Sequence, residues 1–154
     1  MSTVKSPPQA TTAASKPEPD SLASLSQLNA LMQAFTQANK LTDWKPSTDG
    51  WTALRLNKSR VTIQALEDED ALLVHLHMRA VPQDAAKRSA LYEALLRLNI
   101  ELAAADRLGI DAHEKTAVYQ RIVSLSGLDA QSFGDELWDV FDSAAELEPE
   151  LPKG

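Results

Sequence analysis

The sequence predicts an α+β domain: a helix, a three-stranded antiparallel meander, a second helix, two strands and a last helix. Apolar residues between 22 and 35 recur every three or four positions, which indicates a helix with one apolar face. Between 51 and 79 they alternate with polar residues, as in half-buried strands, and the helical spacing returns from Asp84. Two short polar turns, Asn57–Arg60 and Glu67–Asp70, join the alternating runs, which are therefore predicted to pair as neighbours.

The first helix is predicted to begin at Asp20 or Ser21, because either side chain can cap a helix, and to end near Lys40. The apolar face of this helix is wider than packing against a short meander requires. It also contains a methionine, whose flexible side chain adapts to varied partners. We therefore expect this stripe to bind an extended segment of another protein, although the same side chains would equally serve as core. Either Trp44 or Trp51, which flank the following loop, is expected at the rim of that site, and Trp51 is the predicted contact. The expected contacts on the helix are Leu25, Leu28, Met32 and Phe35.

The three strands of the meander are predicted at Trp51–Leu56, Val61–Leu66 and Leu72–Arg79. Pro82 ends the third strand, because proline cannot donate to a ladder. The alternation in this strand predicts two faces. One face consists of Leu72, Val74, Leu76 and Met78, and the opposite face consists of Leu73, His75, His77 and Arg79.

His75 and His77 share a strand face, and two imidazoles on one face can bind a metal if a third ligand arrives. That ligand would have to be His113 or a distant carboxylate. The alternative is an ordinary polar sheet face. The sequence therefore predicts no metal site, with a small histidine-based metal protein as the alternative.

The second helix, which starts from Asp84, carries two stripes. Leu91, Leu95 and Leu98 form one, which packs the helix on its own sheet. A second stripe lies about 100° away and needs another cover, which is often a second subunit. The second stripe, and so the predicted dimer interface, consists of Tyr92, Leu96 and Asn99.

Residues 99–110 allow two interpretations. Helix propensity alone would continue the helix to a C-cap at Gly109. The alternative ends it near Asn99 and makes Ala105–Asp111 a strand. A further strand is predicted at Lys115–Val123, where β-branched residues are frequent. Asp129 or Ser132 is expected to cap the last helix, whose predicted apolar face is Phe133, Leu137, Val140, Phe141, Ala144 and Leu147.

The composition restricts the classes of function. The 154 residues suit one domain, predicted at 21–148 between a disordered Pro-rich tail at 1–20 and a flexible tail at 149–154. The absence of cysteine excludes disulfides and thiolate metal sites. The net charge of −7, without a basic stripe, argues against nucleic acid and anionic membranes as partners. No apolar run suggests a membrane span or a secretory signal.

No catalytic or cofactor motif occurs. The sequence lacks G-x-S-x-G, G-x-G-x-x-G and a P-loop, and its five glycines are scattered. Carboxylate pairs lie in turns or on polar helix faces. We therefore predict no catalytic residues, no cofactor and no enzyme.

Three segments carry a resemblance to a known family. They are the nine residues Leu91–Asn99, which contain Leu-Leu-x-x-Asn, then Leu108–Asp111, with its apolar-Gly-apolar-Asp pattern, and the leucine-rich turn Ser124–Asp129 before the last helix. In this order they resemble the class I type III secretion chaperones of the Tir chaperone (CesT-like) family, over about residues 21–148. The sequence departs from the family at 112–114, where glycine is usual, and in its longer Pro-rich tail.

The resemblance implies a strand from about Ala105 and a homodimer in the bacterial cytoplasm. Such chaperones bind an N-terminal segment of a secreted effector through apolar patches and strand addition, keep it extended, and help to deliver it to the secretion ATPase. The tail and the acidic pI are similar to those of broad-specificity export-control members. A protein-binding adaptor outside secretion is the alternative function.

Overall fold

The structure, a computed structural model, describes residues 19–153, and the order of elements along them confirms the predicted fold class. The predicted N-terminal tail lies outside the described residues up to position 18. The first helix begins at Pro19, so the predicted start at Asp20 or Ser21 is wrong and both residues lie within the helix. The described helices are α1 (Pro19–Ala38), α2 (Ala85–Asn99) and α3 (Ala130–Leu147). The strands are β1 (Trp51–Leu56), β2 (Ser59–Leu66), β3 (Ala71–Ala80), β4 (Asp106–Asp111) and β5 (Thr116–Ser124), with 3₁₀ turns at Glu67–Glu69 and Glu148–Glu150.

The five strands form one antiparallel sheet in the order β1-β2-β3-β5-β4, so β1 and β4 are its edges. α1 lies against β2, α3 against β3 and β5, and α2 beside β4. The side chains that face these helices are buried, as the alternation along β1–β3 predicts. The alternate side chains form the opposite face, which we call the open face and which includes Trp51, Thr62, His75 and Gln120.

Asparagine and aspartate make the tight turns of the meander. Asn57 begins the turn between β1 and β2 with φ 57°, and Asp70 precedes β3 with φ 49°. Both residue types tolerate the left-handed conformation because their short polar side chains bond locally. Both turns therefore lie where polarity predicts them, but the first is only two residues long, because Ser59 and Arg60 already belong to β2.

The prediction for Arg79 is wrong. The pairing of β3 with β5 shifts between His77 and Arg79, where a bulge re-aims the strand. Arg79 consequently leaves the face of His75 and His77 and donates to Glu148 at 2.8 Å and to the carbonyl oxygen of Pro152.

Residues 99–110 allowed two interpretations from the sequence. In the structure the helix ends at Asn99 and a strand begins at Asp106, so the helical continuation to Gly109 is wrong. The Asn99 side chain donates to the Leu108 carbonyl at 2.9 Å and accepts from the Leu108 N–H at 2.7 Å. This pair requires the chain to reverse between 99 and 108. Long-range pairing thus outweighs the helix propensity of Ala103–Ala105.

The domain continues past the predicted limit at 148. Leu151 is only 4% exposed and belongs to the hydrophobic core. Arg79 holds the same segment through Glu148 and Pro152. The sequence does not predict this packing, because Leu151 is a single apolar residue beside Pro152 and belongs to no periodic run.

Candidate interaction surfaces

Most of the predicted groove on α1 is core. Leu28 and Met32 are fully buried and Phe35 is 3% exposed, so these three side chains present no surface to a partner. The reason is α3, which lies beside α1 and places Phe133 and Trp138 against the Phe35 ring, at centroid distances of 6.1 and 6.2 Å. The fourth contact, Leu25, is partly buried. The extra apolar width of α1 therefore serves helix–helix packing.

The outer edge of β1 is the first exposed surface, and it contains the predicted contact Trp51. Trp51, Ala53 and Arg55 are exposed, whereas Thr52, Leu54 and Leu56 are buried. We call the three exposed residues the β1 edge.

The backbone of the β1 edge points away from the sheet. The Gly50 carbonyl oxygen accepts a hydrogen bond from the Ala65 N–H at 2.8 Å. Counting from Gly50, the backbone groups of every second residue therefore bond to β2, and those of the residues in between face outward. The Trp51 N–H donates to the Asp49 carboxylate at 3.1 Å. The hydrogen bonds of residues 19–153 include no further outward bond from β1. Ala53 and Arg55 thus offer donors and acceptors to another extended chain.

α1 and its following loop stiffen this edge from the helix side. Asn29 donates to the Ser47 carbonyl at 3.0 Å and accepts from the Ser47 N–H at 2.8 Å. Trp44 donates through Nε1 to the Thr52 hydroxyl at 2.7 Å. β1 pairs with β2 on one side, and these contacts hold it in place although the described residues include no strand on its outer side.

The exposed apolar stripe of α2 is the second surface. Tyr92, Leu96 and Ile100 follow one another at spacings of four, and Leu96 and Ile100 are 70% and 85% exposed. Ile110 on β4 is also exposed and lines a cavity of about 530 Å³ together with Tyr92. We call these four residues the α2 surface. The sequence prediction included Tyr92 and Leu96 but missed Ile100, although it continues their four-residue spacing.

Asn99 is not available for the predicted interface role, because its amide is engaged with Leu108 inside the protomer. It joins the end of α2 to the outer edge of β4.

We expect Asn99→Ala to lower the free energy of unfolding by about 1–3 kcal/mol, since two backbone groups of Leu108 lose their partner. Urea denaturation measures this loss. If Asn99 acted across an interface instead, the substitution would weaken self-association and leave the stability of the protomer unchanged.

A third apolar feature lies between α3 and the adjoining ends of β2 and β3. Ser59, Leu76, Met78, Phe141 and Ala144 line a groove of about 540 Å³ there. Trp138 packs edge-on against Phe141 at 5.7 Å. The groove offers room for apolar side chains.

The two histidines of β3 are engaged by their neighbours. His77 lies between two hydroxyls, with Nδ1 2.9 Å from Thr116 and Nε2 3.2 Å from Thr62, and burial lowers its pKa. His75 Nε2 lies 3.3 Å from the Gln120 amide oxygen. Within residues 19–153 no group of three or more histidine, aspartate and glutamate side chains gathers to hold a metal.

An ionic network, buried at Arg121 and Asp106 and exposed at its α3 end, fastens β4 and β5 to α3. Arg121 donates to both oxygens of Asp106, at 2.7 and 2.8 Å, and also reaches Glu136 and Asp139 at 3.1 and 2.7 Å. The Tyr119 hydroxyl donates to the same Asp106 carboxylate.

The pKa values reflect these contacts. Burial by itself raises the pKa of Asp106, but hydrogen bonds from Arg121 and Tyr119 outweigh it, and the pKa lies below its usual range. Burial, and then the hydrogen bond to Asp106, raise the pKa of Tyr119. The network is thus a fully paired structural cluster.

Over the described part of the chain, the helices are too short or too polar to cross a membrane.

Comparison with known proteins adds a family and a fold. A model of the Tir chaperone protein (CesT) family matches residues 30–148, which is well over half of the chain. No curated protein sequence matches.

Solved structures share the fold at low sequence identity. A chain in the crystal structure of the ExsC–ExsE complex has a TM-score of 0.64 at 18% identity, covering 83% of this chain and 96% of that one. A chain of the HopA1–SchA chaperone–effector complex has a TM-score of 0.60 at 14% identity, covering 80% and 94%. The third, from the Yersinia pestis type III secretion chaperone SycH bound to a fragment of YscM2, has a TM-score of 0.54 at 16% identity, covering 78% and 98%.

Proposed function

The chain belongs to the Tir chaperone protein (CesT) family, and from this we propose that it is a class I type III secretion chaperone. In this role it binds an N-terminal segment of secreted effector proteins in the bacterial cytoplasm. It keeps that segment extended and delivers it to the secretion ATPase, without catalysing a reaction. The likeness to a chain of a chaperone–effector complex supports the binding role.

The outward backbone of Ala53 and Arg55, which has no partner among residues 19–153, is the observation that supports this function best. An extended peptide gains main-chain hydrogen bonds by adding a strand to an exposed sheet edge, and side-chain pockets then supply specificity. Proteins usually cover or twist away such an edge to avoid aggregation. Here Trp51, Ala53 and Arg55 stay exposed on a strand that Asn29 and Trp44 hold in place. We assign effector binding to this edge.

The α2 surface is proposed to bind a second copy of the chain. A stable interface buries about 1,600 Å² in total, and its centre is usually apolar. Leu96 and Ile100 supply such a centre, with Tyr92 and Ile110 beside them. β1 and β4 are opposite edges of the sheet, so a dimer formed at the α2 surface leaves the β1 edge of each protomer accessible.

Ala53→Pro is expected to abolish capture of an effector segment, because proline removes the outward N–H and places its ring at the edge. Proline is tolerated on edge strands, and the Ala53 N–H does not bond to β2, so the fold should persist. The measurement is co-purification with the first ~100 residues of candidate effectors encoded near this chain, a length that comfortably contains an extended recognition segment.

The matched control is Ala53→Ser, which keeps both the N–H and a small side chain on the edge. It should retain the effector segment. Equal capture by both folded variants would place the binding site elsewhere, with the groove beside Phe141 and Trp138 as the next candidate.

A further inference from the structure

Two arginines stand opposite each other at the edge where the proposed binding occurs. Arg55 on β1 pairs with Arg60 on β2. Because Leu56 and Ser59 flank the two-residue turn as a hydrogen-bonded pair, Arg55 and Arg60 form the closer, non-hydrogen-bonded kind of pair. Like charges directly opposite one another destabilise a sheet. A nearby negative charge is therefore needed to offset the repulsion between these two arginines.

Only one member of the pair is compensated within the described chain. Arg60 forms an ion pair with Glu114 from the β4–β5 turn. Among residues 19–153, no carboxylate lies within 4 Å of Arg55. Lys58 in the adjacent turn adds further positive charge. A carboxylate on a strand added beside β1 would stand directly opposite Arg55.

The neighbours of Arg55 on the same face determine which residue types suit the other positions of such a strand. Ala53 is small and lies between the larger Trp51 and Arg55, so a bulky apolar side chain opposite it fills the gap. Trp51 is 47% exposed and pairs best with an aromatic or β-branched residue. On the other face Leu54 and Leu56 are already covered, so selection occurs on the open face.

Resting on the proposed function, we propose that the β1 edge selects effector segments of the form acidic-x-apolar-x-apolar. The segment runs antiparallel to β1, as every neighbouring pair in this sheet does. Its acidic residue lies opposite Arg55, its first apolar residue opposite Ala53, and its second opposite Trp51. The recognition signal is therefore a charge at one end of a short apolar strand.

A charged edge residue also has a purely protective explanation. Arginine or lysine on an edge strand discourages pairing with other chains. If protection were the only role of Arg55, the sign of the charge at this position would not affect which peptide binds. Charge reversal on both partners separates the two roles.

The test uses two fluorescein-labelled peptides of ten residues, identical except for one position. One carries Glu, Ile and Val at alternate central positions, with Thr between them, and the other carries Lys in place of Glu. Fluorescence anisotropy measures their binding to the unmodified protein, to Arg55→Glu and to Lys58→Glu. Lys58→Glu is the matched control, since it makes the same charge change in the turn and not on the edge.

We expect the unmodified protein to bind the Glu peptide about five- to tenfold more tightly than the Lys peptide. The net charge of −7 attracts cationic peptides, so this preference would not come from the overall field. Arg55→Glu should reverse the preference, while Lys58→Glu should change it much less.

Equal binding of both peptides, an equal effect of the two substitutions, or no binding of the Glu peptide at millimolar concentration would overturn the inference. Ala53→Pro distinguishes this failure from failure of strand addition itself. If it abolishes binding of both peptides while their affinities for the unmodified protein are equal, strand addition stands and only the charge rule is wrong.

Discussion

Replacing Leu96 by glutamate is expected to convert the protein from a dimer to a monomer. Leu96 is 70% exposed in the protomer and lies at the middle of the α2 surface. Burying one leucine contributes about 2 kcal/mol, and a two-fold axis counts it twice. Losing about 4 kcal/mol raises the dissociation constant about a thousandfold, before the repulsion of two buried carboxylates is added. Sedimentation equilibrium measures the change.

Ala90→Glu provides the control for this prediction. Ala90 is an exposed residue of the same helix, and six positions place it about 120° around the axis from Leu96. This variant should remain dimeric. Both variants should keep the protomer fold, since neither position is buried within it. An unmodified protein that is already monomeric, or a Leu96→Glu variant that stays dimeric, would remove the α2 surface as the interface.

Replacing Arg121 by alanine is expected to lower the free energy of unfolding by about 3–5 kcal/mol. Within the described part of the chain, the substitution leaves the Asp106 carboxylate, 7% exposed, with the Tyr119 hydroxyl as its one remaining side-chain donor. A buried carboxylate that loses a bidentate arginine retains its desolvation cost without the compensating charge. Chemical denaturation followed by circular dichroism measures the loss.

Two further variants test the origin of that loss. Arg97→Ala removes an exposed arginine whose contact to Glu93 is 3.9 Å long, and should cost no more than about 0.5 kcal/mol. Arg121→Ala combined with Asp106→Ala should recover part of the stability, because the orphaned carboxylate is gone. A loss below about 1 kcal/mol for Arg121→Ala would contradict a structural role for the network.

The opposite placement of the two surfaces has a functional consequence. Because β1 and β4 are opposite edges of the sheet, a dimer joined at the α2 surface would leave the β1 edge of each protomer uncovered. An effector segment long enough to reach both edges would bind the second as an intramolecular event, which raises its overall affinity. Dimer formation and effector binding are thus expected to reinforce each other, and Leu96→Glu should also weaken capture of long segments.

Local spacing in the sequence was sufficient to predict most elements and faces. The alternation along 51–56 correctly assigns Trp51 outward and Leu54 inward, because adjacent side chains of a strand must point to opposite faces. The start of the second helix at Asp84 and the cap of the last helix at Asp129 are likewise correct, and Ser132 completes the cap of α3. Strand faces and helix caps depend on residues within four positions of each other, so they can be predicted directly from the sequence.

Features that depend on distant neighbours needed the tertiary structure. The sequence determined that α1 has an apolar stripe, but only the packing of α3 against Phe35 decided that the stripe is core. It placed Asn99 in the second stripe of α2, but only the return of β4 decided that its amide bonds to Leu108. The physical reason is the same in each case: periodicity states which side chains share a face, and burial depends on which element covers that face.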